Sequence, residues 1–116
     1  MSIFVDSRRI WKYATGDTTA QNTVDAGIGD VVRCAFDFTG VMPTDTAIAS
    51  ITSVTVADIV GNTEPTLGTP AASYDKKKAE VEITCTSATA GTYTLTATVV
   101  TTDTQTLVRK GRLVVQ

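Results

Sequence analysis

The chain has 116 residues, a formal net charge of −2 and no histidine. That length holds one domain with one core, large enough to need no metal or disulfide staple. A slightly acidic balance excludes a general affinity for nucleic acid, which needs a basic footprint to neutralise phosphates. The missing histidine removes the commonest general base, metal ligand and pH switch together.

Residues 1–29 read as an irregular N-terminal arm. It has a short apolar start (Ile3, Phe4, Val5), an aromatic-basic patch (Arg8, Arg9, Trp11, Lys12, Tyr13), then polar residues with scattered glycine. From 30 to 116, strand signals recur between turn residues, the pattern of a sandwich or small barrel. Threonine fills roughly one position in five, well above its usual share. It is β-branched and stiff at χ1, and suits a pleated, half-buried surface.

The first clear strand is 31–38, with Val32, Cys34, Phe36 and Phe38 on one face and Arg33 and Asp37 on the other. Gly40 and Pro43 end it. A second apolar stretch runs over 48–60, where Val54 and Val56 alternate against Thr52, Ser53 and Thr55. Residues 63–74 hold Pro65, Gly68 and Pro70, so they are expected as an edge strand or a loop with short extended pieces. Asp75, Lys76, Lys77 and Lys78 read as an exposed turn. Over 79–85, Val81, Ile83 and Cys85 point one way and Glu80, Glu82 and Thr84 the other. Over 92–101, Tyr93, Leu95, Ala97 and Val99 point inward, and Thr92, Thr94, Thr96 and Thr98 outward. A turn at 103–105 leads into 106–115, with Leu107, Leu113 and Val115 on the core side. No window shows a helical period. The expected fold is an all-β, immunoglobulin-like sandwich of about seven strands over 30–116, preceded by the arm.

No catalytic constellation emerges, and an enzyme is not expected. Cys34 and Cys85 both face inward and are expected as reduced core residues. An antibody-type bridge would want a core tryptophan, and Trp11 precedes the sandwich in this reading. No D-x-[DN]-x-[DN]-G spacing and no phosphate loop is present, so no metal or cofactor is expected. The Lys76–Lys78 run and Arg109, Lys110 and Arg112 are either solvated charge or a docking surface for an acidic protein. The threonine row of 92–98 is expected as a solvated face, because sugar sites usually add exposed aromatics. Phe4, Arg8, Arg9, Trp11, Lys12 and Tyr13 are the interface candidates, being of the types enriched at hot spots. The other reading of those aromatics is that they fold back over an open end of the sandwich.

No segment approaches the roughly 20 apolar residues that span a bilayer. Residues 1–10 show no secretory signal, since Arg8 and Arg9 follow the one apolar run. The expectation is a chain that folds in a cytosol and has no membrane partner.

The segment from Ala90 and Gly91 through Tyr93, Leu95, Ala97 and Val99, the polar turn 101–105 and the basic strand ending Leu113, Val114, Val115 resembles the closing hairpin of small Ig-like virion proteins of tailed bacteriophages. Gly29 and Asp30 before Val31 are similar to the residues that precede their first core strand. The resemblance covers roughly 29–115. It implies a non-enzymatic virion component, assembled in the host cytoplasm. Such a protein acts as capsid decoration or cement or as a fibre–tail adaptor, and contacts capsid, tail or fibre proteins and copies of itself. The adaptors' acidic-proline opening is not matched by Asp6, Ser7, Arg8 and Arg9, which leaves decoration on an equal footing. The alternative is a carbohydrate- or receptor-binding Ig-like module.

Overall fold

The clean alternation of the last two segments becomes the backbone of one sheet, and the weaker patterns before it arrange themselves around that hairpin. The computed structural model describes residues 9–13, 19–58, 61, 64–85 and 89–116. The strands are β1 (Ile10–Lys12), β2 (Thr19–Ala26), β3 (Val31–Asp37), β4 (Ile48–Asp58), β5 (Thr66–Leu67), β6 (Ala71–Ala72), β7 (Lys78–Thr84), β8 (Gly91–Thr101) and β9 (Thr106–Val115). A 3-10 turn, Thr39–Val41, follows β3.

Two sheets form. The first runs β1-β3-β7-β5, with β6 also on β7, and the second runs β2-β9-β8-β4. The chain is therefore a β-sandwich, as its composition and alternation predict. The proline-containing stretch yields only the two-residue strands β5 and β6 at the edge of the first sheet, because proline cannot donate to a ladder.

All but one of the inward residues named from the sequence are buried; Leu107 is only half-buried against the core. Val32, Cys34, Phe36 and Phe38 of the first sheet, with Val81, Ile83 and Cys85, face Tyr93, Leu95, Ala97, Val99, Leu113 and Val115 of the second. Burying each large apolar side chain contributes about 1.5–3 kcal/mol before chain entropy is counted.

The N-terminal region differs from the expectation of an arm ahead of the domain. β1 pairs in parallel with β3, and β2 pairs in parallel with β9, so β1 and β2 each supply an edge strand to one sheet. Local pattern cannot show this, since β1 is only three residues long and takes its strand character from its partner. Trp11 and Tyr13 alternate inward along it and lie beside Phe36 and Phe38, with ring centroids 4.7 and 6.0 Å apart. Trp11 is thus a core tryptophan after all, delivered by the first edge strand.

Gly111 shows how it fits. The indole lies over this glycine of β9, and the indole N–H donates to the Arg112 carbonyl at 2.9 Å. Glycine inside a strand marks such a close approach.

Candidate functional site

The six residues named from the sequence separate in the structure. Phe4 and Arg8 lie outside the described residues. Trp11 is fully buried and Tyr13 nearly so, which leaves neither ring at the surface. Burial also pushes the Tyr13 hydroxyl well above the usual tyrosine range, against the nearby Arg109 guanidinium. Lys12 is exposed and Arg9 half-buried. Nε of Arg9 and of Arg109 and the Tyr13 hydroxyl are buried without a hydrogen-bond partner.

Cys34 and Cys85 are free and buried. Cys34 pairs with Val81 on β7, and Cys85 lies four positions further along the same strand direction. At about 3.3 Å per residue that is some 13 Å, beyond the reach of a disulfide. Burial pushes the Cys34 thiol up to about 12, with Arg9 opposing. Burial, then Asp30, raises Cys85. Neither is a nucleophile at neutral pH. Among the described residues no group of three or more His, Cys, Asp or Glu side chains is placed to hold a metal ion. Among the described residues no helix is long and apolar enough to cross a membrane.

The Asp75–Lys78 segment is a structured turn. The Ser73 hydroxyl and the Lys77 N–H both donate to the Asp75 carboxylate, and the Lys76 N–H donates to the Ser73 carbonyl at 2.9 Å. Lys76 takes φ 60°, and Lys77 Nζ reaches back to the Thr44 and Thr46 carbonyls. One of the three lysines is therefore spent on tying two loops together. Tyr74, at the tip, is 92% exposed.

A concavity lined by described residues lies on the solvent face of the second sheet. A recess of about 670 Å³ opens over β4, β8 and β9, and a second of about 240 Å³ adjoins it on the β2 side; Lys110 and Arg112 line both. The hairpin register explains the arrangement. Pairing across β8–β9 sets Thr96 beside Lys110 and Thr94 beside Arg112. Across β9–β2, Thr19 lies beside Lys110 and Thr23 beside Arg112. Thr55 continues the first row on β4, and Ala57 continues the second. Two cations thus stand in mid-sheet, each flanked by threonines.

The sequence shows the threonine row and the basic strand separately, but not their meeting. The turn at 103–105 was the available signal, because it sets which residues of the two strands lie opposite each other. What the arrangement can do chemically is bind: hydroxyls that donate and accept beside exposed cations suit an anionic, hydrogen-bonding partner. Compared with known proteins, the chain matches no family model and no curated sequence.

Proposed function

We propose that this chain is an Ig-like structural protein of a bacteriophage virion, one that binds another virion protein as capsid decoration or as a fibre–tail adaptor and performs no chemistry. The observation that carries the reading is the hairpin β8–β9. It holds the residues that resemble the phage proteins, and it also presents the polar, cationic recess. Two further features support the Ig-like part. The orders β1-β3-β7-β5 and β2-β9-β8-β4 place β1 to β5 in alternate sheets, a crossing between sheets that Greek-key sandwiches also make. Tyr93, at the start of β8, donates its hydroxyl to the Thr89 carbonyl four residues upstream at 2.7 Å, which is the tyrosine-corner arrangement of such domains. Many copies on a symmetric scaffold gain avidity without strong single contacts.

A carbohydrate- or receptor-binding module is the second reading, and the recess favours it in size. None of the recess residues is aromatic, so it offers no ring for a sugar to stack on. The deciding experiment is quantitative mass spectrometry of purified particles of the phage whose genome encodes the chain. A copy number that follows capsid symmetry supports decoration, and one that follows tail symmetry supports the adaptor. Absence from particles, together with clear hits on a glycan array, overturns the virion reading in favour of the module.

A further inference from the structure

We infer that the solvent face of β8–β9 docks an acidic protein segment in extended conformation, with carboxylates at alternate positions over Lys110 and Arg112. The inference rests on the protein-binding reading above and names the partner's chemistry.

Lys110 and Arg112 are exposed, and neither forms an ion pair with a described residue. This sheet face instead carries a pair of like charges on one strand, in a protein whose net charge is −2. The ion pairs of the first sheet, Arg33–Glu82 at 3.6 Å and Lys78–Asp75 at 3.7 Å, show charges matched locally elsewhere. Two mid-sheet cations with no ion-pair partner among the described residues are a surface left for charges supplied from outside.

Spacing narrows the partner. Alternate residues of a strand lie about 6.6–7 Å apart on the same face. An extended segment with Asp or Glu at every second position repeats its carboxylates at that distance, so one segment can meet both cations at once. Arg112 suits bidentate capture of a carboxylate, and Lys110 acts as a point charge. Thr94 and Thr96 on one side and Thr19 and Thr23 on the other offer hydroxyls that can donate to, or accept from, the segment's backbone. Asp25, beside Val114 on β2, lies toward one end. It repels an acid that overshoots Arg112 and so sets where the segment stops.

The test is an amide-resonance titration of the isotope-labelled chain with a short polyglutamate at low salt. The expected result is shifts concentrated at Thr94, Thr96, Lys110 and Arg112. Binding should weaken about tenfold in the K110E/R112E variant, as two surface ion pairs are worth. It should weaken similarly in about 0.3 M salt, where the screening length falls well below 10 Å. The variant's spectrum shows whether it is folded, and Lys110→Gln with Arg112→Gln replaces it if it is not. No shifts, or shifts centred on Lys76 and Tyr74, overturn the inference. So does an alginate that shifts these residues where polyglutamate does not. A variant that has lost polyglutamate but enters particles at the normal copy number overturns this partner chemistry and leaves the virion reading standing. Wild-type chain that binds polyglutamate here but is missing from particles upholds the acidic-segment site and overturns the virion reading.

Discussion

The indole of Trp11 occupies the space that a side chain at position 111 would fill: a Cβ on Gly111 would lie 2.5 Å from Trp11 Cδ2. Gly111→Ala should therefore destabilise the domain by about 1–3 kcal/mol, the usual cost of overpacking. Trp11 is the one tryptophan in the chain, so its fluorescence reports the change directly. A lower denaturation midpoint and a red-shifted emission are the expected outcome.

Deleting residues 1–28 should unfold the chain instead of releasing an intact sandwich. The cut removes β1 and β2, the edge strands of both sheets, and with them Trp11, Tyr13 and Val24 from the core. Losing the tryptophan alone costs about 3–5 kcal/mol, against a typical total of 5–15. Circular dichroism should show no cooperative thermal transition, and the exposed edges of β3 and β9 should drive aggregation.

Cys34 and Cys85 should resist alkylation in the native state. Both are fully buried, and Cys34 titrates near 12, so thiolate is scarce at neutral pH. Mass spectrometry after iodoacetamide should show no adduct on the folded protein and two after denaturation. Cys34→Ala and Cys85→Ala should bind partners normally at some cost in stability.

The turn around Asp75 should loosen in acid. Chiefly the Ser73 hydroxyl, helped by the Lys77 N–H and the Lys78 ammonium, holds the Asp75 carboxyl below its ordinary 3.8, with burial opposing. A carboxyl lowered by folding contributes stability that is full above the unfolded value and is lost as pH falls through the lower folded one. The Lys77 amide resonance should thus titrate below pH 3.8, and Ser73→Ala should move that midpoint upward. The carboxylate is half exposed, so the global melting temperature should change little.

The parts of the fold legible in the sequence are those where one strand carries its own pattern. Tyr93, Leu95, Ala97 and Val99 alternate with threonines, and each falls where the period of two puts it. Cys34 and Phe36 on β3 and Val81 and Ile83 on β7 do the same. The N-terminal strands were not legible, because β1 offers three residues and no alternation, and its place is set by the ladder on β3. Glu80 shows the opposite failure. Its parity points outward as expected, yet it is only 5% exposed, and parity alone says nothing about what lies over a face. The recess was half legible: Thr94 and Arg112 are each plain in the sequence, but their adjacency is a property of strand pairing.

The parallel pairing of β2 with β9 also sets the order in which the molecule can be completed. Trp11 and the carbonyl it binds at Arg112 are separated by 101 residues, so the core tryptophan finds its seat only after nearly the whole chain has been made. Contacts that span such distances carry a large loop-closure cost and put folding in the slow, millisecond-to-second range of β-sandwiches. Until β9 arrives, the β8 edge and the apolar face of β2 stand open together. Newly synthesised chains are at their most vulnerable to pairing with one another in that interval, while the hairpin that later presents the recess is still forming.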